Sequence, residues 1–170
     1  ISRQETWDHL CDISPIELDL DLKDSYNIPS RNAQEDHYRS TFLSIISESH
    51  FHTYSLSCTE KIWKTIAAGH PFILLGSPGV LALLKTFGFE TFGRWIDESY
   101  DTVLDNDLRI QMVVNELVKL SKLSYNDQLA MYNEMQEVLE HNFVHFYTQF
   151  KTIIVNELVD NFECCKNQFN

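Results

Sequence analysis

Residues 57–79 read SCTEKIWKTIAAGHPFILLGSPG, and the organisation of the chain can be worked out from this stretch. Ser57, with Glu60 three positions later, matches a capping box, which predicts that a helix begins at Ser57. Gly69 suits a left-handed helix stop, and Pro71 prevents the helix from continuing. The stretch therefore predicts a short helix that ends in a sharp turn.

A buried strand is expected directly after that turn. Residues 72–75 form an unbroken apolar run, FILL, which is typical of a parallel strand covered on both faces. A Gly-Ser-Pro-Gly turn then leads into a helix over residues 80–87, and an earlier strand is predicted at residues 42–47. The order strand, helix, strand, helix implies a parallel sheet with crossover connections, so the predicted fold class is α/β.

The second half of the chain has a helical pattern. Residues 106–122 predict an amphipathic helix whose apolar face carries Ile110, Val113, Val114, Leu117 and Leu120. Residues 126–167 contain no glycine or proline and repeat apolar residues at three-four spacing. A helix this apolar on one side must pack on its own domain, on a preceding domain or on another subunit. We assign residues 1–40 to an acidic arm or the remnant of a preceding domain, residues 41–123 to the sheet domain and residues 124–170 to a C-terminal helical extension.

Composition excludes several classes of function. The formal net charge of −12 argues against a general nucleic-acid binder, because such a protein needs a cationic field. No apolar run approaches the roughly 18 residues that span a bilayer, and no signal-peptide pattern is present. The cysteine spacing fits neither a zinc ribbon nor a disulfide framework, so we expect reduced thiols in an intracellular, cytoplasmic protein.

Motifs for metal binding or nucleophilic catalysis are weak. His141 and His145 have the i, i+4 spacing of a helical zinc site, but no Glu follows His141 directly and a third ligand would have to come from Glu137 or elsewhere. We therefore assign no metal and no catalytic residue. Cys58 lies near a helix start, where its pKa can fall, but a packed cysteine is the favoured interpretation.

The segments TEKIW at residues 59–63, His70-Pro71 and GSP at residues 76–78 resemble the donor-binding, C-terminal domain of alpha-1,3-fucosyltransferase-like glycosyltransferases. Segments GFETF at 88–92 and DESYD at 97–101 are similar to those of uncharacterised phage and bacterial relatives. The resemblance implies a Rossmann-like sheet that forms half of a B-type glycosyltransferase fold. The catalytic base of that family lies in its N-terminal domain, so the chain resembles a donor half without an acceptor half.

The resemblance also implies roles for particular residues. Glu60 would bind the ribose of the donor, and Lys61 would contact its diphosphate. Glu48 and Ser49 belong to a Ser-Glu-Ser segment that resembles a degraded copy of the family's Phe-Glu-Asn-Ser-like motif, without its Asn, and would line the cleft. Ser77 would be a further donor contact. The implied ligands are a nucleotide-sugar donor, most closely a GDP-sugar, and a glycan or other acceptor, with no separate cofactor.

Simpler interpretations of the same residues remain open. Glu60 suits the third helical position of a capping box, and Lys61 can extend into water. The Gly-Ser-Pro-Gly turn fits an ordinary strand-to-helix connection as well as a phosphate site. The alternative function is a non-catalytic structural or assembly module, for example in a viral particle, that keeps the fold and pairs through its long C-terminal helix.

Overall fold

The computed structural model describes residues 35–52 and 55–168, and residues 34–170 form one compact unit. The predicted arm of residues 1–40 lies almost entirely outside the described residues. In chain order the elements are α1 Glu35–Ser40, β1 Ser44–Ser47, α2 Glu60–Ala67, β2 Phe72–Leu75, α3 Val80–Thr86, a 3-10 turn Ser99–Thr102, α4 Asn106–Leu120, α5 Tyr125–Glu134, α6 Gln136–His145, a π-helical turn Phe146–Phe150 and α7 Lys151–Gln168. The described protein is thus α/β and mostly helical.

The two described strands form a parallel sheet. Their register pairs Ser44 with Phe72 and continues to Ser47 with Leu75, and α2 connects the two strands. This confirms the predicted α/β class and the parallel pairing. The described sheet has two strands, so the fuller Rossmann-like sheet stays a prediction.

Helix α2 begins two residues later than predicted. Its N-cap is Thr59, whose backbone is extended, and Glu60 is the first helical residue. The capping box based on Ser57 is therefore wrong, and the Ser57 hydroxyl is buried without a hydrogen-bonding partner among the described residues. The physical reason is a tertiary contact: the carboxylate of Glu48 binds Thr59 and fixes where the chain turns into the helix. The predicted stop is confirmed, since Gly69 has a φ of +63°.

The core lies between the sheet, helices α2 and α3 and the segment that follows α3. Its fully buried apolar side chains come from all of these elements: Ile62, Ile66, Ile73, Leu74, Leu81, Leu84, Phe92 and Ile96. Phe72 packs edge-on against Phe92 with ring centroids 5.1 Å apart. The strand β2 is therefore covered, as its unbroken apolar run predicted.

The buried face of α4 differs from the predicted one. Val113 and Leu120 are buried, but Ile110 and Val114 are 39% and 42% exposed. The reason is Arg109, which lies on the buried face and donates hydrogen bonds to backbone carbonyl oxygens. Because this guanidinium is buried, the side of α4 that faces the core carries positions 109, 113 and 120.

The C-terminal region is helical to residue 168, as predicted, with a change of helix at Met135. Met135 and Leu139 are buried in the main core, and Phe150 packs against Trp63 with ring centroids 4.5 Å apart. Helix α7 differs, because Ile153 and Ile154 are half-buried and its later large apolar side chains are about half exposed or more: Val155, Leu158, Val159 and Phe162. Of the three packing partners that the sequence left open, the same domain is therefore the observed one for residues up to about 154.

Candidate functional site

Four of the five predicted donor-binding residues meet where β1 ends and α2 begins. Glu48 and Ser49 directly follow β1, and Glu60 and Lys61 open α2. The Lys61 ammonium lies 3.5 Å from the Ser49 hydroxyl and 3.6 Å from Glu60 Oε1. The carboxyl end of a parallel strand is where α/β proteins usually bind ligands.

Glu48 is turned inward at this edge and is only 3% exposed. Its Oε1 accepts a hydrogen bond from the backbone N–H of Thr59 at 3.0 Å, and its Oε2 accepts one from the Thr59 hydroxyl at 2.6 Å. Both carboxylate oxygens are thus used within the protein. Glu48 therefore positions Thr59, and its carboxylate does not face a ligand directly.

Thr59 is the site residue that the sequence interpretation missed. Its hydroxyl lies 3.2 Å from the Lys61 ammonium, so it links the buried Glu48 to the exposed cation. A threonine is an N-cap residue about as good as a serine, and it immediately precedes Glu60. That local preference was the available signal, but Ser57 offered the same chemistry two residues earlier.

Lys61 and Glu60 present opposite charges at the helix start. The Lys61 side chain is 41% exposed, and it stands in the first turn of α2, where the helix dipole favours an anion. The Glu60 side chain is more exposed, and a hydrogen bond from its own backbone N–H, followed by the charge of Lys61, lowers the pKa of its carboxyl. Glu60 is therefore an anion at neutral pH, with oxygens that can accept hydrogen bonds from hydroxyl groups.

Ser77 reaches the same edge of the sheet from the end of β2, but its hydroxyl is buried. It donates to the carbonyl oxygens of His50 and Ser55, the latter at 3.0 Å. The structure thus uses Ser77 to hold the loop that carries Ser49.

The turn after β2 does not offer its amides to a ligand. The backbone N–H groups of Leu81 and Ala82 donate to the two carboxylate oxygens of Asp101, at 3.0 and 3.2 Å. The N–H of Gly79 donates to the carbonyl oxygen of Asp101 at 2.7 Å. An internal carboxylate therefore occupies the N-terminus of α3, so this turn is not an anion site.

Arg109 secures the same loop from the side of α4. Its guanidinium donates to the Phe51 carbonyl oxygen at 2.8 Å and lies 4.2 Å from the centre of the Phe51 ring. Burial lowers the pKa of Arg109, while the charges of Asp101 and Asp105 oppose that shift. Ser77 and Arg109 together bind the backbone of His50, Phe51 and Ser55, so Ser49 directly precedes backbone that is held in place.

The other candidate motifs have structural roles. His141 Nε2 lies 3.0 Å from the Gly88 carbonyl oxygen and His145 Nε2 lies 2.7 Å from that of Phe87, so both rings cap the end of α3. Over residues 35–52 and 55–168, no cluster of three potential metal ligands is found. Burial raises the pKa of the Cys58 thiol to about 11, in agreement with the packed cysteine that the sequence favoured.

Cys58 and Cys165 are free thiols. Across the described helices, none has the length and apolar character needed to cross a membrane.

Comparison of the chain with models of protein families, with curated proteins and with solved structures finds no match.

Proposed function

We propose that the edge formed by Glu48, Ser49 and residues 59–61 binds the diphosphate of a nucleotide-sugar, and that the chain is the Rossmann-like donor half of a B-type glycosyltransferase. The observation that carries the proposal is the placement of Lys61. Its ammonium stands within 3.5 Å of the Thr59 and Ser49 hydroxyls at the start of a helix, next to the carboxyl end of a parallel strand. A cation and two hydroxyls at the start of a helix together suit a phosphate group.

The proposed reaction is displacement at the anomeric carbon of the sugar. A hydroxyl oxygen of the acceptor forms the new bond to that carbon while the bond to the diphosphate oxygen breaks. The nucleoside diphosphate leaves with the bonding electrons, and a base takes the proton of the acceptor. Lys61 and the dipole of α2 would stabilise the negative charge that develops on the diphosphate. The nucleotide is assigned as guanosine diphosphate on the resemblance of residues 59–78.

Glu60 and Glu48 take different parts in this proposal. Glu60 is exposed and ionised, so its oxygens can accept hydrogen bonds from the ribose hydroxyls. Glu48 acts through Thr59 and is a positioning residue, because both of its oxygens are already bonded. Ser77 is likewise a positioning residue, since its hydroxyl holds the loop backbone.

Calorimetric titration with guanosine and uridine diphosphates tests the proposal. Lys61→Ala should weaken binding of guanosine diphosphate about tenfold or more, the scale of a charged hydrogen bond. Lys122→Ala removes an exposed lysine that follows α4, outside the contacts of Ser49 and Thr59, so it should bind like the wild type. A wild-type chain that binds neither nucleotide at millimolar concentration, with any natural upstream domain present, would refute the donor site.

A second function is favoured by one specific observation. The exposed apolar residues of α7, Val155, Leu158, Val159 and Phe162, follow the i, i+3, i+4, i+7 spacing of a helix that packs on a partner. In this alternative the chain is a non-catalytic assembly module, for example in a viral particle. Sedimentation of the full chain and of Leu158→Glu tests it, because a wild type that stays monomeric at high concentration would exclude self-assembly.

A further inference from the structure

A cleft of about 500 Å³ lies between α1 and α5, away from the contacts of Lys61. Its walls carry three tyrosines, Tyr38, Tyr125 and Tyr132, together with the polar side chains of Arg39 and Gln128. Its size falls within the roughly 300–1,000 Å³ that is typical of small-molecule sites. The cleft mixes aromatic faces with hydrogen-bonding groups.

The tyrosines are available to a ligand. Tyr125 is 76% exposed, and Tyr38 and Tyr132 are half-buried. The side-chain amide nitrogen of Gln128 donates to the Leu123 carbonyl oxygen at 3.3 Å, which leaves the amide oxygen to accept other bonds. The lining contains no acidic side chain. A ligand for this cleft needs apolar faces that cover the rings and hydroxyl edges that bond to the phenols and the amide.

Tyr38 also connects the cleft to the proposed donor site. It borders a second groove of about 300 Å³ that runs between β1 and α2 and whose walls include Ser47, Lys61 and Lys64. The ring of Tyr38 meets that of His70 edge-on with centroids 5.3 Å apart, and His70 Nδ1 lies 3.0 Å from the Ser44 hydroxyl. A side chain tied to the start of β1 thus stands between the cleft and the groove.

We infer that the tyrosine cleft between α1 and α5 binds an oligosaccharide. Pyranose rings present apolar C–H faces and hydroxyl edges, which is the combination that the cleft requires. The groove past Tyr38 leads from this carbohydrate site toward Lys61. Binding of carbohydrate to the cleft does not depend on the proposed donor site.

The experiment screens the full chain on a printed array of neutral oligosaccharides and then titrates the best-bound oligosaccharide by calorimetry. Tyr125→Ala and Tyr132→Ala should each weaken binding about fivefold or more, because each removes an aromatic face. Tyr147→Ala is the matched control, since Tyr147 is also exposed but lies on the π-helical turn outside the cleft. Circular dichroism spectra of the three variants check that each remains folded.

The outcomes separate this inference from the donor proposal. Oligosaccharide binding that is weakened by the two cleft variants and not by Tyr147→Ala supports the cleft, and an unchanged affinity for guanosine diphosphate in those variants shows two distinct subsites. Nucleotide binding without binding to any printed oligosaccharide would overturn the assignment of the cleft as a carbohydrate site and would leave the donor proposal standing. Oligosaccharide binding without nucleotide binding would keep the cleft as a carbohydrate site and overturn the donor proposal. Binding that the cleft variants do not weaken would overturn the inference.

Discussion

The carboxylate of Glu48 accepts two hydrogen bonds from Thr59, one from the backbone N–H at 3.0 Å and one from the hydroxyl at 2.6 Å. This pair fastens the end of β1 to the start of α2. The same Thr59 hydroxyl lies 3.2 Å from the Lys61 ammonium. The position of the proposed phosphate-binding cation therefore depends on a buried carboxylate that does not itself face the ligand.

The first prediction concerns Glu48. Glu48→Ala should lower the free energy of unfolding by about 2–4 kcal/mol, because it removes two bonds to a buried carboxylate and leaves the Thr59 donors unpaired. Glu48→Gln keeps one acceptor oxygen and should lose less. Urea denaturation measures both values. Glu90→Ala, at an exposed position, serves as the control, and a loss in Glu48→Ala no larger than in this control would contradict the prediction.

The second prediction separates the two interpretations of Glu60. Glu60 is exposed at the first helical position, so Glu60→Gln should leave the melting temperature almost unchanged. If Glu60 binds the ribose, the same change should weaken guanosine diphosphate binding about fivefold or more, because a carboxylate accepts from two hydroxyls better than an amide does. Calorimetric titration measures this. Wild-type affinity in Glu60→Gln would rule out the ribose contact.

The third prediction concerns pH. Burial lowers the pKa of His70 below its ordinary value of 6.5, because the charged ring is poorly solvated between Thr41, Ser44 and Tyr38. The unfolded chain therefore binds this proton more readily than the folded one. The contribution of neutral His70 to stability should be complete above about pH 6.5 and should fall as the pH drops below that value.

Urea midpoints between pH 7.5 and 5 measure this dependence, and His70→Asn should flatten it. Lowering the pH should also loosen the Tyr38 ring, because His70 contacts it. A midpoint with the same pH slope in the wild type and in His70→Asn would show that other groups cause the change.

The fourth prediction compares two residues that are paired across the sheet. Ile73 is 1% exposed, whereas its partner Ile45 is 57% exposed. Ile73→Ala should cost roughly 2–5 kcal/mol through lost burial and the cavity that remains, and Ile45→Ala should cost less than about 1 kcal/mol. Denaturant titration of both variants checks the difference. Equal losses would mean that the side chain of Ile45 is covered in solution.

The sequence was most informative where structure depends on neighbours along the chain. Gly69 ends α2 with a positive φ, and the FILL run of β2 forms the buried parallel strand that it predicted. Such features depend on backbone sterics and on local hydrophobic pattern, and both can be read from adjacent residues. The helical nature of the C-terminal region followed from the same kind of pattern.

The same reasoning failed where a distant side chain changed a local preference. Ser57 and Thr59 are both good helix caps, and the choice between them was made by Glu48, eleven residues before Thr59. Arg109 has the pattern of a surface residue, yet carbonyl oxygens of Val103 and Phe51 bring it into the core. Hydrogen-bond partners that are far apart in sequence leave no periodic signal.

For the site, the sequence selected five residues through its resemblance to glycosyltransferases, and the structure places them at one edge of the sheet: Glu48, Ser49, Glu60, Lys61 and Ser77. The tertiary structure assigned their separate parts, since burial and bonding turn Glu48 and Ser77 inward while Lys61 and Glu60 remain exposed. It also placed Asp101 on the amides of α3, which removes that turn as an anion site. The physical reason is that the sequence sets the chemical type of a side chain, whereas the fold decides which partners come within hydrogen-bonding distance. Those partners determine which donors and acceptors remain available to a ligand.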